Sequence, residues 1–231
     1  MKNLSPIQFP LQPLTVHVAN LTLKGCSSYY KYMRKENDFK NVLEQRESKW
    51  HTELGKIFST THWNKTYQCL SNIKNDNRLK WMQFQIVRNC LFTNVRVNKF
   101  TSTVSPSCSY CKDAPELISH LYYHCPIVLN FWQDLKNFFS KFGVSIPLSD
   151  TAILFGYHEE HPWTVVNMII LWAKHYIWVN KFKNTHLSIL AFKAILKTRL
   201  KEIKELSEYY TNFSNQFDKW LPIYSSLDSD N

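Results

Sequence analysis

The chain has 231 residues, 44% of them hydrophobic and 15% aromatic, so it can bury a real core in one domain or two small ones and is no disordered tail. It carries 8 Trp, 12 Tyr and 15 Phe against only 4 Gly, which favours packed helices over turn-rich β structure; the expected class is mainly α, a helical domain. With 28 Lys and Arg against 18 Asp and Glu, the formal charge of +10 excludes an acidic scaffold and points to a polyanion as partner, nucleic acid first.

Residues 1–25 carry Pro6, Pro10 and Pro13 among isolated apolar residues and read as an extended lead-in. A basic aromatic helical segment is expected over 26–105. Its tyrosine-rich and basic start, from Ser28 to Lys40, suits either base stacking or a coated helix, and the coated helix is the plainer reading. Trp50, Leu54, Ile57, Phe58, Trp63, Tyr67 and Leu70 recur at helical spacings and predict two amphipathic helices broken near Ser59 to Thr61.

From Arg78 to Phe100, Leu79, Met82, Ile86, Cys90 and Leu91 share one helical face, while Trp81, Gln85 and Arg88 lie on another. No acidic residue occurs between Asp76 and Asp113, whereas Arg78, Lys80, Arg88, Arg96, Lys99 and Lys112 are all basic. A solvated face normally mixes both signs, so this run reads as a contact surface for a polyanion, with Trp81, Phe84, Tyr110 or Tyr122 offering stacking faces. Each of these aromatics suits a core position as well.

An embedded Cys3His knuckle and its following helix are expected over 106–146. Cys108, Cys111, His120 and Cys125 stand at C-x2-C-x8-H-x4-C spacing, in which a C-x2-C turn sets two thiolates on one side of a metal and a later His and Cys close the other. His124 is a rival to Cys125, four residues from His120 on one helical face. Disulfide and redox C-x-x-C readings also fit six cysteines, but the M-K-N-L-S-P start lacks an apolar signal segment, so a reducing compartment, cytoplasmic or nuclear, is expected. With all four positions filled by protein, the Zn2+ would be structural and not catalytic. Pro126 suits the first turn of a helix that places Cys125 at its positive end, Leu129, Trp132, Leu135, Phe138 and Phe139 form its apolar face, and Gly143 and Pro147 end it.

A C-terminal helical segment over 147–222 follows. The loop Y-H-E-E-H-P-W puts His158, Glu159, Glu160 and His161 together, but without H-E-x-x-H geometry, and reads as an exposed polar turn. Thr164 to Phe182 is too interrupted to span a membrane; Asn167, Lys174 and Lys181 recur every seven residues along it, which suits a nearly buried core helix. A helix over roughly Leu187 to Tyr209 has Phe192, Leu196, Leu200, Ile203 and Leu206 inward. Lys174, Lys181, Lys183, Lys193, Lys197, Arg199 and Lys201 make a second basic surface, and 223–231 reads as a disordered tail.

The order of features resembles the region downstream of the polymerase in LINE-type non-LTR retrotransposon reverse transcriptases. The resemblance rests on K-W-H-T-E-L-G (Lys49 to Gly55), W-N-K-T-Y (Trp63 to Tyr67), L-K-W-M-Q-F-Q-I-V-R-N-C-L-F-T-N (Leu79 to Asn94), the knuckle, Phe131–Trp132 and I-L-F-G (Ile153 to Gly156). It covers roughly residues 25–220 and is most specific from Leu79 to Trp132. It implies a zinc-binding module with Cys108, Cys111, His120 and Cys125 as ligands, associated with element RNA. Single-stranded DNA and a reverse transcriptase domain are further partners that the resemblance allows; an alternative is a docking module for a polymerase or other chain. No Asp-Asp pair occurs, so the tyrosine-x-Asp-Asp motif of the family's polymerase is lacking and no enzymatic activity is expected.

Overall fold

A computed structural model describes residues 39–71, 73, 76–158, 165–183, 185–210 and 217–229. The chain divides into two units, Met1–Ser48 and Lys49–Asn231. Of the first, only the helical stretch from Phe39 is described; the expected lead-in over 1–25 and the tyrosine-rich stretch to residue 38 lie outside.

The described residues are mainly helical, as expected, and hold no strand beyond one isolated antiparallel bridge between Ser107 and Pro115. In chain order the helices are α1 (Phe39–Leu54), α2 (Thr60–Ser71), α3 (Asn77–Val87), α4 (Asn94–Asn98), α5 (Pro126–Ser140), α6 (Asp150–Phe155), α7 (Val165–Lys183), α8 (Ile189–Ser207) and α9 (Leu221–Ser229), with one π-helical turn at His120–His124. None is long and apolar enough to cross a membrane.

The segments expected as 26–105, 106–146 and 147–222 share, from Trp50 to Leu227, one continuous core. The single-residue steps of the helical pattern decide its lining. Trp50, Trp63, Leu79, Met82, Ile86, Trp132, Leu135, Phe139, Phe192, Leu196 and Leu200 are buried as their spacing predicts. Ile57 instead stands 92% exposed in the α1–α2 turn, and Leu129 and Leu206 are each 41% exposed; beside Leu129 it is Val128, fully buried, that takes the inward position.

Two helix ends depart from expectation. The periodic run from Arg78 does not continue to Phe100: Asn89 adopts φ 47°, its amide donates to Ile86 O and the Cys90 amide to Gln85 O at 2.8 Å each, which stops α3. Asn tolerates this left-handed position better than most residues, so a helix end was written there. At the C-terminus, the expected tail forms α9, since Ile223 and Leu227 lie four apart and bury at 1% and 4% exposure.

α7 runs through the core with its polar stripe facing inward. Asn167 Oδ1 accepts from the Tyr157 amide at 2.8 Å while its Nδ2 donates to Tyr157 O at 3.0 Å. Lys174 donates to Gln83 Oε1 and, at 3.5 Å, to Leu154 O; Lys181 reaches Glu116. The second basic surface therefore loses Lys174 and Lys181, which are 2% and 9% exposed.

Candidate metal centre and basic aromatic face

Cys108 and Cys111 lie on a turn closed by hydrogen bonds from the Lys112 amide to Cys108 O at 3.1 Å and from the Cys108 amide to Ala114 O at 2.7 Å. Lys112, exposed and at φ 63°, reverses the chain there. The other two ligands come from the π-helical turn. In an α-helix a residue five positions on points about 140° away, since each residue rotates by about 100°. Here the Cys125 amide donates to His120 O at 2.9 Å, and this wider turn returns Cys125 toward the side of His120.

The Sγ atoms of Cys108, Cys111 and Cys125 and one ring nitrogen of His120 all lie within 4.8 Å of one another, a group able to hold a metal ion. Cys108 Sγ and Cys125 Sγ are 3.8 Å apart, and Cys111 Sγ is 3.3 Å from His120 Nε2. Of the two rivals for the fourth position, Cys125 lies in the group, while His124 is exposed and stands outside it. None of the three cysteines in the group is in a disulfide.

The surroundings favour anionic sulfur at one position in particular. Cys125 precedes Pro126 at the N-terminus of α5; its thiol is lowered first by accepting a hydrogen bond from Cys108 and then by the Val128 and Ile127 amides, against the effect of burial. Those amides face the sulfur without closing a cap hydrogen bond. Cys108 is pushed up by donating to Cys125 and by burial, although the Cys111 and Tyr110 amides oppose this. Burial and His124 lower His120, which keeps its imidazole neutral and ready to donate a lone pair.

The residue that ties this turn to the helices was not singled out from the sequence. Glu116, fully buried, accepts from the Asn94 amide at 2.8 Å and the Ser109 amide at 2.7 Å, and pairs with Lys181. Asn94 adds bonds from Nδ2 to Ser107 O at 2.8 Å and Ser109 Oγ at 3.1 Å. The turn carrying Cys108 and Cys111 is thus fixed to the first residue of α4. A lone Glu inside the ligand spacing, flanked by Pro115 and Leu117, was the available signal.

The sequence-predicted contact residues are mostly at the surface. Arg78, Lys80, Lys99 and Lys112 are exposed, Trp81 is 60% exposed, and Arg88 and Arg96 are half-buried. Two proposed stacking residues are not available: Tyr122 is fully buried, and the Tyr110 hydroxyl donates to Ile177 O at 2.6 Å, packing the ring onto α7. Tyr122 is thereby spent in the core, and the half-buried Tyr110 ring packs against it. Phe92 and Phe100, not singled out before, are 50% and 75% exposed.

The His-rich loop differs from the exposed polar turn expected. His158 is half-buried, with its ring 4.7 Å from that of His62 and Nε2 3.3 Å from Thr66 Oγ1. Burial lowers both imidazoles, His62 to about 4. Glu159, Glu160 and His161 lie outside the described residues. Comparisons with protein-family models, curated proteins and solved structures find no match to this chain.

Proposed function

We propose that the chain is a zinc-held, retrotransposon-derived module associated with a reverse transcriptase, which binds nucleic acid, RNA first, and has no polymerase activity of its own. The observation that carries this reading is the joining of a Cys3His group to a basic aromatic surface through Glu116 and Asn94.

Zinc suits the donor set. Three soft thiolates and an imidazole are its usual structural ligands, and bond lengths of about 2.3 Å to sulfur and about 2.0 Å to nitrogen give tetrahedral edges of about 3.8 Å between sulfurs and about 3.5 Å from sulfur to nitrogen. The observed separations are 3.8 Å and 3.3 Å. Cys108, Cys111, His120 and Cys125 would hold the ion and leave it no open position, so it supplies fold stability and no hydrolytic chemistry. Three thiolates with one dication carry a net charge of about −1, and phosphate attraction falls to the neighbouring Arg and Lys side chains.

Those side chains sit on α3, α4 and the knuckle turn, with no acid between Asp76 and Asp113. Anisotropy titration of a labelled RNA with the wild type and Arg88→Ala/Lys99→Ala tests the assignment. Loss of affinity with a shallower salt dependence is expected; identical affinity and salt slope would refute it.

A protein-docking module is the second reading. Phe182 at 66%, Leu190 at 71% and Tyr209 at 80% exposure favour it, with an open groove of about 410 Å³ lined by Lys204, Phe217, Leu221 and Tyr224. Concentration-dependent association with a reverse transcriptase domain, undisturbed by Arg88→Ala/Lys99→Ala, would select it.

A further inference from the structure

Side chains of α3, α4 and the residues that flank them form a series of ring and guanidinium contacts. Trp81 lies nearly parallel to Phe84, with ring centres 5.4 Å apart and 15° between planes. The Arg88 guanidinium covers Phe84 at 5.7 Å. The chain then turns at Asn89, whose carbonyl accepts from Arg96 Nη1 at 3.4 Å, and Arg96 lies 5.4 Å over Phe92, with Phe100 6.4 Å beyond. The helix-ending turn at Asn89 thus separates two aromatic pairs, each with one cation stacked on it.

These cations are largely unspent. Arg88 has no hydrogen-bond or ion-pair partner for its side chain among the described residues, and Arg96 has only the bond to Asn89 O. The Nε–H of each is buried without an acceptor, and a guanidinium lacking acceptors forgoes the charge-assisted bonds it forms best. Glu53 is the carboxylate bonded to this turn; its oxygens accept from Asn89 Nδ2 at 2.9 Å and the Ser119 amide at 3.1 Å. Exposed rings next to guanidinium groups with unused donors match a strand whose bases are not already stacked in a duplex.

Resting on the nucleic-acid reading above, we propose that this face binds an unpaired polynucleotide segment, one base on the Trp81/Phe84 platform and another on Phe92/Phe100, with the intervening phosphates against Arg88 and Arg96. The site recognises bases by their π-faces and so tolerates sequence, while a duplex, which hides those faces, is refused.

The test uses the zinc-loaded full chain and three labelled probes of equal length, about 12 nucleotides: a single strand, the same backbone without bases, and a blunt duplex. The single strand should bind on the order of tenfold or more tightly than either other probe. Trp81→Ala/Phe92→Ala should lower its affinity to that of the abasic backbone and leave abasic binding unchanged; because Trp81 and Phe92 are exposed, the variant should retain its zinc and helical signal. Equal binding of abasic and base-bearing strands, or tighter binding of the duplex, would overturn the two-platform site while sparing the nucleic-acid reading. Failure of all three probes to bind would overturn both.

Discussion

Lys181 of α7 and Glu116 of the knuckle form an ion pair at 2.5 Å with their side chains 4% and 0% exposed. Lys181 also lies 4.9 Å over Trp178 and 5.2 Å over Phe182, so the ammonium is held by rings as well as by the carboxylate. Removing one member of a buried pair strands the other charge at a typical cost of about 3 to 5 kcal/mol. Lys181→Met should lower stability in chemical denaturation by roughly that amount, and Lys181→Met/Glu116→Gln should recover part of the loss, because Gln still accepts through one oxygen. A loss under about 0.5 kcal/mol in the single variant would show that the pair does not anchor the knuckle.

Metal content separates the four ligands from their neighbour. Cys108→Ser and Cys125→Ser should lose stoichiometric zinc and much of the helical signal, since such an ion can contribute about 10 to 16 kcal/mol of apparent binding energy to folding. His124→Ala should keep both, because His124 is exposed and outside the group. Zinc analysis and circular dichroism of the three variants check this directly.

Gly156 occupies φ 101°, ψ 156°, a conformation that only glycine adopts without strain. A Cβ there would lie in ordinary contact, 3.4 Å from Asn167 Oδ1 and 3.5 Å from Cys69 Sγ, so the cost of a side chain falls on the backbone conformation. Gly156→Ala should therefore cost about 1 to 3 kcal/mol in urea unfolding. A neutral result would mean that the α6 to α7 connection relaxes freely.

Lys174 gives stability a pH dependence. Burial lowers its ammonium from 10.5 to about 7, with Cys69 opposing. Between those values the unfolded chain binds a proton that the native chain does not, so stability rises with pH across that window, by at most about 1.4 kcal/mol per pH unit. From pH 7.5 to 9.5 the wild type should gain about 1 to 3 kcal/mol more than Lys174→Met. Equal changes in the two proteins would contradict the assignment.

Much of this was legible where one physical rule fixes one position. The cysteine and histidine spacing gave the metal group, Pro126 the start of α5, and the heptad of Asn167, Lys174 and Lys181 a nearly buried helix. Less legible was anything set by tertiary partners. Lys174 and Lys181 look like surface cations until Gln83 and Glu116 meet them, and Tyr110 looks like a stacking residue until Ile177 O takes its hydroxyl. The end of α3 at Asn89 hung on one residue's tolerance of positive φ, which periodicity does not report. α9 was lost to a polar composition that concealed Ile223 and Leu227.

The most direct test of the central claim is RNA affinity of the zinc-loaded chain from about 50 to 200 mM salt, beside Cys125→Ser. Affinity that falls steeply with salt and is lost with the ligand is predicted, because the metal group fixes α4 through Glu116 and Asn94 while Arg and Lys side chains meet the phosphates. A folded, zinc-containing wild type that leaves RNA unbound across the series would contradict the account and select the docking module instead.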